Sequence, residues 1–215
     1  MKKFAVILSG CGVYDGSEIH EAVMTLLAID KAGATYEIFA PDINQHHVIN
    51  HLTGEVTDET RNVLVESARI ARGKIKKLSD YKPDDYDGII LPGGFGAAKN
   101  LSDYAFKGIN MQVLQELQKA LYDTHKAMKP IGALCIAPVI IANIFKNSEV
   151  TIGNDIKTVS DIEAMGAIHK NSTKIEVITD INNKIITSPC YMLGTSIKDI
   201  AEGAEATVKA MLKLM

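Results

Sequence analysis

One cysteine, Cys135, stands between an apolar run at residues 130–134 and a segment, Ile136-Ala137-Pro138, that begins a helix. Pro138 suits the first turn of a helix, where its missing N–H removes no hydrogen bond. A strand that passes into a helix through one residue makes a tight turn, as in the nucleophile elbow of serine hydrolases. The helix N-terminus then favours the thiolate. The sequence therefore predicts a cysteine nucleophile with a lowered pKa, and the alternative is a small buried hydrophobic residue.

Two adjacent glycines, Gly93 and Gly94, follow a second apolar run at residues 88–91. Because glycine has no side chain, backbone N–H groups at this position can approach a substrate closely. The N–H groups of Gly94 and Ile136 are therefore the predicted oxyanion hole. Gly93 and the neighbouring Phe95 are candidate substrate-binding residues, and an ordinary glycine turn is the alternative.

Two acidic residues, Glu18 and Glu21, fall in the first turns of a helix that follows the glycine-rich loop at residues 9–17. Residues three apart lie on similar faces of a helix, so a carboxyl group from this edge can reach the sulfur. A protonated carboxyl there would donate a hydrogen bond to the thiolate. The alternative is a capping carboxylate, which is favoured for Glu18 because Asp15 and Glu18 have the spacing of a capping box. For Glu21 both roles stay open, and Glu18 is kept as a candidate substrate-binding residue.

A histidine partner for the cysteine is expected from the distant half of the chain, as in many Cys–His dyads. His169 ends the turn Gly-Ala-Ile-His after a predicted helix and is the candidate. The alternative is an ordinary loop histidine. The histidines from His46 to His51 match no zinc spacing, so no metal site is predicted.

The elements that must position these residues alternate as strand, glycine-rich loop and helix. Short apolar runs of this kind are typical of parallel strands that are covered on both faces. The predicted fold is α/β, a three-layer αβα sandwich with a mostly parallel, flavodoxin-like sheet and a nucleophile elbow, in one domain over residues 1–215. Ligands of such sheets bind beyond the carboxyl ends of the strands, where the candidate residues fall.

Composition narrows the classes of partner. The 215 residues include 23 basic and 26 acidic side chains, a net charge of −3. Nucleic-acid and anionic-membrane binders normally carry a basic surplus, so neither partner is expected. No phosphate-binding glycine motif is present, and we expect no cofactor. Three scattered cysteines and an apolar start that is interrupted at Ser9 predict a protein of the reducing cytosol.

Four stretches of the sequence resemble the ThiJ/PfpI superfamily, within the class I glutamine amidotransferase-like fold, and most closely its ElbB-type branch, called enhancing lycopene biosynthesis protein 2. The resemblance covers essentially the whole chain. The stretches are residues 7–21, residues 48–55, residues 92–101 and residues 135–138.

The resemblance implies a six- or seven-stranded αβα sandwich, often a homodimer, whose elbow cysteine matches Cys135. It also implies an acidic partner to that cysteine twelve residues before the glycine that closes the first helix. Counting back from Gly33 gives Glu21. ElbB-type proteins are associated with glutathione-independent glyoxalase activity on glyoxal or methylglyoxal, small aldehydes that yield 2-hydroxy acids through a cysteine hemithioacetal.

Two departures count against other activities of the superfamily. Protease-like members carry His directly after the elbow cysteine, where this chain has Ile136. Glutaminases carry a His-x-Glu pair near the C-terminus, and residues 188–191 offer no equivalent. A reactive cysteine that senses oxidation or protects against stress without turnover is the alternative, as is deglycase or amidase activity.

Overall fold

Apolar runs that end at glycine-rich turns form the strands of the central sheet. The computed structural model describes residues 1–193 and 196–215. The strands are β1 (Lys3–Ile7), β2 (Thr35–Ala40), β3 (Lys76–Lys77), β4 (Gly88–Leu91), β5 (Ile131–Leu134), β6 (Glu149–Val150), β7 (Ile168–His169), β8 (Ile178–Asp180) and β9 (Ile185–Ser188). The α-helices are α1 (Ile19–Lys31), α2 (Val63–Ile70), α3 (Phe95–Lys99), α4 (Tyr104–Lys107), α5 (Gln115–Lys126), α6 (Pro138–Ile144), α7 (Ile156–Ala164) and α8 (Ile197–Leu214). Short 3₁₀ helices span Leu78–Asp80, Pro83–Asp85, Gly108–Asn110 and Cys190–Leu193.

Within the described residues, seven strands pair in the order β3-β2-β1-β4-β5-β9-β8, and β6 and β7 form a separate parallel pair. Neighbours in the large sheet run parallel, except that β8 is antiparallel to β9. The chain proceeds from β1 outward to β2 and then returns to β4 on the other side. The loops after β1, β4 and β5 therefore meet at the crevice where α/β sheets bind ligands.

Helices cover both faces of this sheet. On one face, Ala22 and Ile29 of α1 pack in one cluster with Val208 of α8. On the other face, the cluster contains Leu121 of α5 and Ile141 of α6. Every residue of β4 and β5 is buried as a result, which explains why these strands are apolar without alternation. The predicted α/β, three-layer αβα sandwich with a mostly parallel, flavodoxin-like sheet is confirmed.

Helix α1 differs from the prediction at its start. Glu18 is its N-cap, whereas the sequence predicts a capping box that begins at Asp15. Asp15 is buried in the preceding loop instead, where its carboxylate accepts the N–H of Ile49 at 2.7 Å. The capping box is therefore wrong, because a tertiary contact takes the side chain that would have capped. Glu21 lies on the inward face of the helix with Ala22 and Thr25 and is fully buried.

The opposite side of α1 carries an exposed apolar stripe. Ile19, Val23 and Leu27 are 42%, 41% and 45% exposed. They are four residues apart, so they lie along one face of the helix. The homodimer stays a prediction. Contact between two copies of a chain typically covers an exposed apolar stripe of this kind.

Candidate active site

The turn from β5 into α6 is a strained elbow centred on Cys135. Its φ is 59°, a left-handed value that residues other than glycine rarely adopt. The elbow is held by two backbone hydrogen bonds, from Cys135 N–H to Ser188 at 2.9 Å and from Ala137 N–H to Leu134 at 3.0 Å. Strain of this kind persists only where the surroundings fix it, and it is concentrated at functional sites. The cysteine is 8% exposed, so it lies almost entirely below the surface.

Glu21 reaches the elbow from α1 and lies beside the sulfur. One carboxylate oxygen, Oε2, accepts the N–H of Gly93 at 2.9 Å, and Oε1 accepts the N–H of Tyr191 at 3.2 Å. The thiol of Cys135 donates a third hydrogen bond to this carboxylate. Burial raises the pKa of Glu21 to about 7, although the three donors act in the opposite direction. Of the two acids that the sequence left open, Glu21 is the one in contact with the cysteine.

The electrostatics of Cys135 differ from the prediction. Burial, and then the negative charge of Glu21, raise the pKa of the thiol well above its ordinary value. A hydrogen bond from the N–H of Gly94 lowers it, but by less. The prediction of a lowered pKa for Cys135, made from the helix N-terminus, is therefore wrong. The dipole of a seven-residue helix is weaker than the loss of hydration at a buried sulfur.

The thiol and the carboxyl nevertheless form one acid–base unit. Repulsion between two buried anions keeps the pair at a single negative charge, with one proton on sulfur or on Glu21. Moving that proton from Cys135 to Glu21 leaves the net charge unchanged, so the thiolate share of the singly charged pair does not depend on pH. Burial raises the pKa of Glu21 to about 7, and once this carboxyl has lost its proton, transfer of the remaining proton from sulfur to Glu21 gives the thiolate.

The two glycines after β4 close the site on its second side. A Cβ at Gly93 would lie 2.4 Å from the Cβ of Cys135, so a side chain there would occupy the space beside the sulfur. Gly94 has a φ of 96°, and its N–H faces the sulfur. Ile136, whose N–H is the other predicted oxyanion donor, is half-buried and packs against the cluster that contains Cys135. The predicted oxyanion residues are thus gathered at the cysteine.

Glu18 has a structural position beside the two glycines after β4. Its carboxylate accepts the N–H of Glu21 at 2.7 Å and caps α1, as the favoured interpretation has it. Its own N–H donates to Gly93 at 2.9 Å, which ties the helix to the glycine loop. Phe95, the other predicted substrate contact, is 47% exposed, and its N–H donates to Val13 in the loop after β1.

His169 is not brought to the cysteine. It lies in β7 of the small sheet, where its Nε2 accepts the N–H of Ile152 at 3.3 Å. None of its hydrogen bonds in the described part of the chain involves Cys135 or Glu21. Burial lowers the pKa of His169, which suits a neutral ring that accepts a backbone hydrogen bond. The predicted Cys135–His169 dyad is therefore not formed. His169 belongs to the small sheet, whereas Cys135 lies at the carboxyl end of β5 in the large sheet.

Sequence reasoning missed Tyr191, which follows β9. Tyr191 and the buried Cys190 pack in the cluster of Cys135, and the hydroxyl of Tyr191 hydrogen-bonds to His20 of α1 at 2.8 Å. The signal that would have located them is the order of the strands, because β9 is the neighbour of β5. Cys11, by contrast, lies in the loop after β1, near Asp15 of that loop and Glu66 and Arg69 of α2.

Two kinds of feature are absent from residues 1–193 and 196–215. No group of three or more His, Cys, Asp and Glu side chains there is placed to hold a metal ion. No helix there is long and apolar enough to cross a membrane.

The raised pKa of Glu21 predicts a distinctive dependence of stability on pH. The folded protein binds the Glu21 proton more tightly than the unfolded chain, whose pKa is 4.5, so stability falls as pH rises from about 4.5 to about 7. Glu21→Gln has no proton to lose and escapes this fall. The unfolding free energy of the variant minus that of wild type should therefore increase by about 2–3 kcal/mol between pH 5 and pH 8.

Urea unfolding of both proteins at the two pH values gives this difference, and other titrating groups cancel in it. The exposed Glu55 offers a matched control, Glu55→Gln, which removes a carboxyl from the surface rather than from the site. If the difference for Glu21→Gln does not change between the two pH values, the Glu21 carboxyl titrates as it does in the unfolded chain.

Comparison with known proteins supplies relatives over the full chain. The ES1 protein homolog, mitochondrial, of Rattus norvegicus is 46% identical over 99% of this chain and 84% of its own length. The human glutamine amidotransferase-like class 1 domain-containing protein 3, mitochondrial, is 45% identical over 99% of this chain and 83% of its own. The crystal structure of an isoprenoid biosynthesis protein with amidotransferase-like domain from Ehrlichia chaffeensis has a TM-score of 0.92 and 36% identity, covering 99% of this chain and 100% of that one.

These relatives contradict the prediction of a cytosolic protein. The rat and human proteins, and an ES1 protein of Danio rerio, are all named as mitochondrial. The prediction depended on scattered cysteines, which report the redox state of a compartment rather than which compartment it is. The cysteine count therefore gave no ground for choosing the cytosol.

A glyoxalase occurs among the more distant relatives. Glyoxalase 3 of Candida albicans is 28% identical over 78% of this chain and 75% of its own length. The crystal structure of glyoxalase III from the same organism has a TM-score of 0.62 at 19% identity, which is a likeness of fold.

A family model decides the classification. The model of the DJ-1/PfpI family matches residues 13–191, a range that takes in Glu21, both glycines after β4, Cys135 and Tyr191. This family includes enzymes such as glyoxalase III. The prediction from the four sequence stretches is confirmed, and the chain belongs to the DJ-1/PfpI family.

Proposed function

We propose that the protein is a glutathione-independent glyoxalase, which converts small α-oxoaldehydes such as glyoxal and methylglyoxal into 2-hydroxy acids. The observation that carries the proposal is the buried Cys135–Glu21 pair, in which the thiol hydrogen-bonds to the carboxylate and the N–H of Gly94 hydrogen-bonds to the sulfur. A pair of this kind supplies a nucleophile and an acid together, which is what addition to an aldehyde requires.

The first step is addition of the Cys135 thiolate to the aldehyde carbon, C1. The S–C bond forms, the carbonyl electron pair moves to oxygen, and Glu21 returns to that oxygen the proton that left the sulfur. The product is a hemithioacetal. The N–H groups of Gly94 and Ile136 are the proposed donors to the oxygen while it is negatively charged.

An internal oxidation and reduction follows. C1 loses its hydrogen as a proton, and the electron pair forms an enediol with the neighbouring carbon, C2. C2 then takes up a proton, and the hydroxyl proton of C1 passes to the oxygen of C2, which leaves a thioester of the 2-hydroxy acid. Water hydrolyses the thioester and restores the thiol. C2 gains the two electrons that C1 loses, so the reaction uses no external oxidant.

The shape of the site supports small substrates. Cys135 is 8% exposed, and Glu21, Gly93 and Cys190 pack closely around it. A nearly enclosed sulfur of this kind favours a substrate of two or three carbons over a peptide or a sugar adduct. The likeness to the Candida albicans glyoxalase 3 agrees with this class of substrate.

The test is conversion of methylglyoxal by the purified protein, followed by ¹H NMR. We expect lactate to form at the same rate with and without glutathione, and with and without a metal chelator, because the nucleophile is part of the chain. If iodoacetamide labels Cys135 but no lactate forms, the protein is a reactive-cysteine sensor or protective protein instead. Release of ammonia from glutamine without lactate would mean amidase activity.

A further inference from the structure

An imidazole and a phenol are paired at the rim of the site. His20, on the first turn of α1, and Tyr191, in the 3₁₀ helix after β9, hydrogen-bond between Nδ1 and the hydroxyl at 2.8 Å. Their rings are 5.9 Å apart and tilted by 48°. Nothing in the elbow or the glycine loop requires this contact, and the reaction above leaves both side chains without a role.

The backbone of Tyr191 links this pair to the reacting groups. Its N–H donates to Glu21, and its side chain packs against the cluster of Cys135 and Cys190. One residue thus contacts the acid of the site through its backbone and His20 through its hydroxyl. Tyr191 therefore connects the imidazole of His20 to the Glu21 carboxyl through a single residue.

Glu18 adds a charge to the same group. Its Oε1 is 3.7 Å from Nδ1 of His20, and its other oxygen caps α1. When the ring hydrogen is on Nδ1 it can donate to the phenol oxygen, and Nε2 is then the acceptor nitrogen of the imidazole. Nε2 has no hydrogen-bond partner among the described residues, and the side chain is 49% exposed. Nε2 is thus the nitrogen that can meet a substrate.

The phenol is suited to hold the ring. Burial, and then the carboxylates of Glu18 and Glu21, raise the pKa of Tyr191, with Cys190 as a further contributor. The hydroxyl therefore stays protonated, and its oxygen remains a hydrogen-bond acceptor for Nδ1. Tyr191 and Glu18 together fix the orientation of the imidazole.

The proposed reaction needs a further proton carrier, because C1 must lose a proton and C2 must gain one. Glu21 handles the proton of the thiol and has both oxygens engaged by backbone N–H groups. The Nε2 of His169 accepts the backbone N–H of Ile152 instead. Imidazole is the side-chain group best suited to take and return a proton near neutral pH.

We propose that His20 carries this proton: Nε2 takes it from C1 as the enediol forms and returns it to C2, while Tyr191 and Glu18 act as positioning residues. The C1–H electron pair stays in the substrate, so the step is balanced by one proton that leaves one carbon and reaches the next. The inference rests on the proposed glyoxalase function, and it names the residue that carries out its second half.

The test compares two rates in His20→Gln. We expect kcat for methylglyoxal to fall by about a hundredfold, a typical contribution of a positioned acid–base group. Alkylation of Cys135 by iodoacetamide should stay within about twofold of wild type, because it reports the Cys135–Glu21 pair alone. Tyr191→Phe keeps the backbone N–H and the ring, so kcat should fall by about tenfold with KM nearly unchanged.

His125→Gln is the matched control, since that histidine packs on Phe145 away from the site and its replacement should leave kcat unchanged. Conversion by His20→Gln within twofold of wild type overturns the relay and leaves the proposed function standing. Equal losses in conversion and in alkylation also overturn it, because they show that His20 supports the cysteine rather than the proton transfer. If wild type converts no methylglyoxal, the proposed function and the relay fail together.

Discussion

Replacement of Cys135 by serine should lower the turnover of methylglyoxal by roughly a thousandfold or more. The serine hydroxyl is a far weaker acid than a thiol, so Glu21 cannot take its proton in the ground state. The change keeps the size of the side chain and the backbone at φ 59° is already fixed by its neighbours. The midpoint of thermal unfolding should therefore stay within a few degrees of wild type.

Product formation and thermal unfolding, measured on the same preparation, check this result. Cys11→Ser is the matched control, because Cys11 lies with Glu66 and Asp15 rather than with Glu21, and it should keep full activity. Should Cys135→Ser retain a tenth of wild-type turnover, the nucleophile is another group, with the adjacent Cys190 as the first candidate.

A second large effect is expected from Gly94→Ala. The added Cβ would lie 2.3 Å from the backbone nitrogen of Glu18 and 2.4 Å from the carbonyl oxygen of Gly16. Both contacts are with backbone atoms, so no rotamer change relieves them, and φ is 96°. The expected loss is at least about 4 kcal/mol of unfolding free energy, or a folded protein in which the N–H of Gly94 no longer faces the sulfur.

Gly73→Ala separates the two causes of this loss. Gly73 also has a positive φ, 78°, but an added Cβ there meets nothing within 4 Å. Its cost of about 1–2 kcal/mol should report backbone strain alone. Urea unfolding gives the loss of unfolding free energy for each variant. The loss for Gly94→Ala minus the loss for Gly73→Ala is the part due to the collision of the added Cβ with the backbone. If the two losses are equal, the glycine loop adapts to a side chain and the packing argument fails.

The sequence was informative wherever structure is local. The elbow at Cys135 follows from a strand, one residue and a proline-initiated helix, all adjacent in the chain. The role of Gly93 and Gly94 follows from a strand that ends in two residues without side chains. The choice between Glu18 and Glu21 was harder, because it depends on which face of α1 is buried, and packing against distant elements decides that face.

What the sequence could not provide is the pairing of elements that are far apart in the chain. Tyr191 meets Glu21 because β9 lies beside β5, and His169 misses the site because β7 joins a separate pair of strands. The pKa of Cys135 was predicted from a local cause, the helix terminus. Burial decides it, and burial is a property of the whole fold.

The close packing of the glycine loops has a consequence for how this site can diversify. At Gly16, Gly94 and Gly96 the nearest atoms to an added Cβ lie 2.4, 2.3 and 2.4 Å away, and most of them belong to the backbone. None of these three glycines can therefore accept a side chain without displacement of its neighbours. Variation in substrate preference, whether by natural drift or by laboratory selection, is expected at the outer rim instead, where Phe95 is half-exposed and Ile136 is half-buried.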